Sequence, residues 1–116
     1  MTTKEIALTT AHALEEKKGI GVKLLQVAEV TTLAEYFLIC TGTSNTHVNT
    51  LCDAVEEAVE NCGEPLLHRE GHRSGTWVLL DFGCLIVHVF TEETRKFYDL
   101  EHLWSDATPV PLAENL

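Results

Sequence analysis

Apolar residues recur at three- and four-residue steps in two stretches of the chain, a spacing that predicts two amphipathic helices. The first begins at Thr2 or Thr3, whose hydroxyl group can cap a helix, and ends at Gly19. The second ends at Gly63, and acidic residues occupy its polar side. Its apolar stripe consists of Val48, Leu51, Cys52, Val55, Ala58, Val59 and Cys62.

Runs of β-branched, aliphatic and aromatic residues predict five strands around these helices. The run YFLIC at residues 36–40 is apolar on both faces, so we expect it in the centre of the sheet. The two runs on either side of Asp81-Phe82-Gly83 predict a β-hairpin. The predicted strands cover residues 22–30, 36–40, 66–70, 76–81 and 84–90.

A third helix is predicted from Glu92 through Trp104. The order of elements is typical of an α/β domain with a mixed five-stranded sheet and flanking helices. With 116 residues, of which 45% are hydrophobic, the chain suits one domain with a real core. We place that domain at residues 1–107. Residues 108–116 contain two prolines and little to bury, which predicts a loose tail.

The turn of the hairpin determines which side chains face the helices. A two-residue loop at Phe82-Gly83 would place Trp77 opposite His88 and leave Val78, Leu80, Leu85, Val87 and Val89 on the core face. A type I turn with Gly83 in a bulge would shift the register by one residue and place Trp77 with Leu85, Val87 and Val89. The sequence leaves both registers open. In both of them His88 lies on the less aliphatic face, where we expect a partner.

Charge limits the class of partner. Eight basic and eighteen acidic residues give a formal net charge of -10, which repels phosphate backbones and favours basic partners. Direct binding to nucleic acid is therefore not expected. Four cysteines without a CxxC pair are typical of reduced thiols in a cytoplasmic protein. The acidic, amphipathic start predicts neither a signal peptide nor a transit peptide, and no apolar run has membrane-spanning length.

Two kinds of enzymatic site are conceivable from the sequence, an anion-binding loop and a pair of metal-binding carboxylates. The loop at residues 41–45, TGTSN, joins a strand to a helix and could present backbone amides to an anion, although capping by Thr43 or Ser44 is the simpler interpretation. Metal-assisted nucleotidyl transfer needs converging carboxylates, but Asp81 ends its strand without a second carboxylate. Asp99 and Glu101 would point about 200° apart on a helix. We therefore expect no catalytic residues and no cofactor.

His68, Glu70 and His72 alternate in an extended segment and could in principle face one way as metal ligands. Gly71 and the charged neighbours favour an exposed rim instead. We therefore expect no metal site there.

Several separate sequence blocks occur in the order found in one known family, the ribosomal silencing factors, also called the Iojap-like family, which the chain resembles from about residue 4 to residue 107. The blocks are AEYFLICTGTS at 34–44, His47-Val48, Glu70-Gly71, WVLLDFG at 77–83, VHVF at 87–90, Arg95, Phe97-Tyr98 and LEHLW at 100–104.

The resemblance implies a nucleotidyltransferase-like fold without catalytic carboxylates or that enzyme's activity. It also implies binding to the large ribosomal subunit through ribosomal protein uL-fourteen. Bound there, members of the family block association with the small subunit and repress translation under nutrient limitation. An acidic protein without a catalytic centre fits a basic protein partner.

We expect seven residues to form the docking surface. Three are proposed as apolar anchors, two as acceptors for lysine or arginine on the partner, and Arg95 has an alternative role in an ion pair with Glu92 or Asp99. Trp104 has the alternative role of pinning the last helix to the sheet. The anchors are Trp77, Tyr98 and Trp104, the acceptors are Asp81 and Glu101, and the other two residues are His88 and Arg95.

Two rival functions remain open at this point. One is a residual nucleotide-binding or nucleotidyltransferase enzyme that uses the loop at residues 41–45. The other is a homodimeric scaffold in which an exposed sheet face or edge pairs with itself.

Overall fold

The computed structural model describes residues 2–71, 76–99, 102 and 104–112, without the side chains of Phe97 and Tyr98. Its elements follow the order predicted from the sequence, with one strand added at the end. They are α1 (Thr3–Glu16), β1 (Ile20–Gln26), β2 (Tyr36–Gly42), α2 (Asn45–Asn61), β3 (His68–Glu70), β4 (Trp77–Asp81), β5 (Leu85–Thr91), α3 (Glu92–Tyr98) and β6 (Thr108–Val110).

The two long helices begin where the sequence predicts. The Thr2 hydroxyl accepts a hydrogen bond from the Glu5 amide, and the Glu5 carboxylate accepts one from the Thr2 amide, which forms a capping box at α1. Ser44 caps α2 by accepting a hydrogen bond from the amide of His47 over 3.1 Å. Both helices bury their apolar stripes in one core cluster against the same side of the sheet.

The strands form one mixed sheet in the order β3-β4-β5-β2-β1-β6. Only β2 and β5 pair in parallel, and the other neighbours are antiparallel. Every residue of β2 is buried, which confirms its predicted central position. Among the described residues, none of the helices combines the length and apolarity needed to cross a membrane.

The hairpin of β4 and β5 has a register that differs from both predicted ones. Trp77 pairs with Phe90 and Asp81 pairs with Ile86. The loop is therefore Gly83-Cys84, where Gly83 adopts a φ of +87° that a side chain would disfavour. The same side chains nevertheless face the core as in the register predicted for a two-residue loop at Phe82-Gly83. The observed register differs from that one by two residues, and side chains alternate between the faces with a period of two. Val78, Leu80, Leu85, Val87 and Val89 all lie in the core under the helices.

The C-terminal part differs most from the prediction. Helix α3 ends at Tyr98 because Asp99 adopts the left-handed conformation with a φ of +46°, although His102 is again helical. The sheet has six strands instead of five, because Thr108–Val110, in the segment expected to be loose, pairs with β1 as β6. Pro109 is tolerated there because an edge strand needs hydrogen bonds on one side only.

Candidate functional site

The sheet has a second side, which α1 and α2 do not cover. Cross-strand partners share a face, so the pairing of Glu70 with Leu79, and of Leu79 with His88, places these three side chains on it in one row. A parallel row runs from His68 through Asp81 to Ile86. We call this side the open face, and its β3–β5 part consists of His68, Glu70, Trp77, Leu79, Asp81, Ile86, His88 and Phe90.

An aromatic cluster surrounds His88 on the open face. The Trp77 indole stacks on Phe90 with ring centroids 5.2 Å apart and an interplanar angle of 23°. Phe37 meets the His88 imidazole and the Trp104 indole edge-on, with centroid distances of 5.3 Å and 5.1 Å. Such geometries are the favourable ones for aromatic pairs. The rings therefore form one packed platform rather than separate surface side chains.

His88 lies at the bottom of this platform and is only 5% exposed. Desolvation by burial lowers the pKa of His88 to about 4, so the imidazole is neutral at physiological pH. Trp77 Nε1 donates a hydrogen bond to His88 Nδ1 over 3.3 Å, which places the imidazole proton on Nε2. His88 Nε2 has no hydrogen-bond partner within the described part of the chain.

Four large apolar side chains on the open face remain half-buried: Trp77, Leu79, Ile86 and Trp104. Trp104 also lines a cavity of about 510 Å³ beside β1 and β6. Its contact with Phe37 fixes the chain after α3 to the sheet, which is the alternative role predicted for this residue. Large aromatic side chains with one side packed and the other accessible are typical of interaction hot spots.

Two carboxylates border this apolar area. Asp81 is half-buried, and its Oδ1 accepts a hydrogen bond from the Gly83 amide over 2.7 Å, so one of its two oxygens shapes the hairpin loop. Glu70 is more accessible, with 64% of its side chain exposed. In the sequence analysis, Glu70 was considered only as a metal ligand and was not placed at the margin of the candidate docking surface. The signal was present in the alternation of residues 68–72, which places Glu70 on one face of β3.

Arg95 lies at the end of the sheet where β2 and β5 terminate. Its Nη1 donates hydrogen bonds to Thr41 Oγ1 over 2.8 Å and to the Ile20 carbonyl over 3.4 Å. Arg95 therefore bonds within the protein, through contacts other than the predicted ion pair with Glu92 or Asp99, and it ties α3 to β1 and β2. Glu92, one of the acidic partners considered for Arg95, lies 3.3 Å from Lys96 Nζ.

The side chains of two of the seven predicted docking residues lie outside the described part of the structure. Glu101 lies outside the described residues. Tyr98 ends α3, but its side chain also lies outside the described part of the structure. The structure thus brings together Trp77, Asp81, His88 and Trp104 on the open face and places Arg95 at its end.

The loop at residues 41–45 borders a cavity of about 690 Å³, together with Arg95 and Lys96. One amide of this loop and two amides of the first turn of α2 bond inside the protein. The Thr43 amide donates to His47 Nδ1 over 2.9 Å, the His47 amide donates to Ser44 Oγ, and the Val48 amide donates to the Ser44 carbonyl. His47 Nε2 also lies 2.8 Å from the Lys17 carbonyl, which ties this loop to the end of α1. The geometry supports helix capping, the simpler of the two interpretations.

Potential metal ligands do not cluster. Within the described ranges, no three histidine, cysteine, aspartate or glutamate side chains are placed to hold an ion. His68 and Glu70 do face the same way, but His68 Nε2 bonds the Glu70 carboxylate over 2.6 Å. His72, the third residue considered for that site, lies outside the described residues.

Comparison with known proteins identifies the family. The family model described as "Ribosomal silencing factor during starvation" matches residues 1–115. The chain is 33% identical to ribosomal silencing factor RsfS of Halalkalibacterium halodurans, covering 97% of this chain and 96% of that protein. It is 36% identical to RsfS of Chromobacterium violaceum, covering 94% and 89%. A crystal structure of a Chromobacterium violaceum protein matches with a TM-score of 0.88 at 36% identity, covering 90% of this chain and 88% of that one. The chain therefore belongs to the ribosomal silencing factor family, as its sequence blocks had implied.

Proposed function

We propose that this protein binds the large ribosomal subunit in the cytoplasm, docks there on ribosomal protein uL-fourteen and blocks association with the small subunit. Translation is thereby repressed when nutrients are scarce. Membership of the ribosomal silencing factor family supports this proposal. The open face supplies the physical basis for a docking surface.

The observation that carries the proposal is the combination of half-buried aromatic rings and bordering carboxylates on one side of the sheet. Trp77, Leu79 and Ile86 offer an apolar centre, and Asp81 and Glu70 lie at its margin. Interfaces between proteins have this arrangement of an apolar centre and a polar rim. With a net charge of -10, the protein is attracted to a basic protein and repelled by ribosomal RNA phosphates.

We assign the docking residues different roles. Trp77, Tyr98 and Trp104 are the apolar anchors, and Asp81 and Glu101 accept hydrogen bonds from basic side chains of the partner. His88 supports the docking surface indirectly: its imidazole accepts a hydrogen bond from the Trp77 indole and so orients that anchor. Arg95 fixes α3 relative to β1 and β2.

The mechanism needs occupancy and bulk rather than chemistry. A protein bound at the surface that the small subunit must contact prevents joining for as long as it stays bound. Its potency therefore depends on its affinity for the large subunit and on its concentration, and no reaction step is involved.

Light scattering during subunit joining tests this function. Separated small and large subunits are mixed with increasing amounts of the protein, and we expect the fraction of joined ribosomes to fall until the large subunits are saturated. Preincubation with the large subunit should inhibit more quickly than preincubation with the small one. Unchanged joining at saturating protein would contradict the proposal.

A further inference from the structure

A small depression lies at the margin of the open face, next to the apolar centre. It has a volume of about 260 Å³ and is lined by Glu70, Gly71, Trp77 and Leu79. One wall is aromatic, one is aliphatic, and one carries a carboxylate. None of these features alone specifies a ligand, but their combination does.

The backbone builds this depression through the pairing of β3 with β4. Glu70 pairs with Leu79, so their side chains stand next to each other on the open face. Gly71 then takes a φ of +83° and passes the Trp77 carbonyl so closely that an added Cβ would lie 2.0 Å from the Trp77 oxygen. The end of β3 thus lies directly against the residue that carries the indole.

The Glu70 carboxylate is oriented but not saturated. Its Oε1 lies 2.6 Å from His68 Nε2, while its second oxygen has no hydrogen-bond partner among the described residues. The strand beneath it is braced, because Arg69 points to the opposite side and bonds Glu56 of α2 over 2.6 Å. A fixed carboxylate with a spare acceptor oxygen beside two apolar walls suits a long side chain with a cationic end.

We infer that this depression receives one lysine or arginine side chain of the basic protein to which the open face docks. The methylene stem of that side chain packs along Leu79 and the Trp77 indole, and its charged end bonds the Glu70 carboxylate. Glu70 is thereby a recognition residue of the docking surface. The inference rests on the proposed function and adds the chemistry of one contact.

Other ligands fit the depression less well. A single carboxylate does not hold a metal ion, which needs several oxygen ligands. A phosphate or a nucleic acid would meet the negative charge of Glu70. An apolar side chain would fill the walls but leave the carboxylate partly desolvated without a partner, which costs free energy. Only a basic side chain satisfies all three walls together.

The test compares Glu70→Gln with Glu60→Gln in equilibrium binding to purified large ribosomal subunits. Both substitutions remove one negative charge from an exposed glutamate, but Glu60 lies on α2, on the other side of the sheet. A hydrogen bond to a charged group contributes about 1.5–3 kcal/mol, so we expect Kd to rise at least about tenfold for Glu70→Gln. The Kd of Glu60→Gln should stay within about twofold of the original value, because an isolated distant charge is screened. Glu70→Lys should raise Kd further than Glu70→Gln.

The outcomes separate this inference from the proposed function. If the unaltered protein binds the large subunit and both glutamine variants bind alike, the inference is wrong and the function stands. If the unaltered protein does not bind the large subunit, both are wrong. Thermal unfolding of the variants provides the folding control, and their melting temperatures should match because both side chains are exposed.

Discussion

The indole Nε1 of Trp77 donates a hydrogen bond to Nδ1 of His88, which is 5% exposed, over 3.3 Å. This contact connects a half-buried side chain of the candidate docking surface to a neutral imidazole in the interior. The orientation of Trp77 therefore depends on the protonation state of His88, since a protonated imidazole has no acceptor nitrogen. The stability of the fold depends on it as well.

His88 should make stability depend on pH. Burial lowers the pKa of His88 to about 4 in the folded protein, whereas 6.5 is its ordinary value. Below pH 6.5 the imidazole binds a proton in the unfolded chain but stays neutral in the folded protein. The free energy of unfolding is therefore highest above pH 6.5 and decreases as the pH falls towards 4. We expect this effect of His88 to make the free energy of unfolding about 2 kcal/mol lower at pH 5 than at pH 7.5. Urea unfolding at both pH values measures it.

The matched variant is His88→Gln, which does not titrate and keeps an acceptor for the indole. Other groups titrate equally in both proteins, so the difference between the two pH profiles isolates the imidazole. Identical profiles would show that His88 is not held neutral by burial.

Truncation of Trp77 should weaken docking. Trp77→Ala removes the ring that stacks on Phe90 and covers His88, and loss of such an anchor typically costs 2 kcal/mol or more of binding free energy. We expect Kd for the large subunit to rise about thirtyfold. Trp77→Phe keeps a ring over Phe90 and should give a smaller rise. Unchanged affinity of a folded Trp77→Ala protein would exclude Trp77 as an anchor.

Two glycines with similar backbone conformations should respond differently to substitution by alanine. Gly71 and Gly63 have φ values of +83° and +87°, so both substitutions carry the cost of a left-handed conformation, about 1–2 kcal/mol. Only at Gly71 does an added Cβ also meet a backbone atom, the Trp77 oxygen at 2.0 Å, whereas nothing lies within 4 Å at Gly63. Gly71→Ala should therefore lower the free energy of unfolding more than Gly63→Ala. Equal losses would contradict the close approach of β3 to Trp77.

The two ion pairs of Arg69 and Lys96 should differ in strength. Arg69 and Glu56 are 2.6 Å apart with 21% and 25% of their side chains exposed, and they join β3 to α2. Lys96 and Glu92 are 77% and 75% exposed. Arg69→Ala should destabilise by about 1–3 kcal/mol through the lost charged hydrogen bond and lost packing, and Lys96→Ala by less than about 0.5 kcal/mol. Denaturant unfolding distinguishes them, and similar effects would argue against the bracing of β3.

The four cysteines should react in two classes. Burial raises the pKa of the Cys40 thiol to about 11 and that of Cys52 to about 12, so neither forms a thiolate near neutral pH. Cys62 and Cys84 are free and half-buried. A thiol reagent should label Cys62 and Cys84 in the folded protein and reach the other two only after unfolding. Mass spectrometry of the labelled peptides measures this, and rapid labelling of Cys40 would contradict its burial.

The features that were predicted correctly depend on local sequence patterns, and the features that were missed depend on contacts between distant residues. The stripe from Val48 to Cys62 and the doubly apolar run of β2 depend on neighbours a few residues away, so both were predicted correctly. The hairpin register depends on Phe82, which is 4% exposed and belongs to the core, so β4 continues its inward alternation past Asp81. The turn was predicted from Asp-Phe-Gly alone, and for that reason the burial of Phe82 and the observed register were missed.

Contacts between distant parts of the chain were not predictable. Arg95 bonds Thr41 and Ile20, which are 54 and 75 residues away in the sequence. The segment of β6 is three residues long and contains a proline, so its two β-branched residues did not predict a strand, and it forms one by pairing with the edge of β1. For the candidate site, the sequence identified the aromatic residues, but it did not show which of them are stacked, buried or accessible.

Co-sedimentation of the purified protein with separated ribosomal subunits, at low and high salt, tests the central claim most directly. We expect the protein to sediment with the large subunit and not with the small one, and we expect binding to weaken at high salt because acidic residues meet a basic protein. Binding to the small subunit, or to neither subunit, would contradict the account of this protein as a silencing factor that docks through the open face.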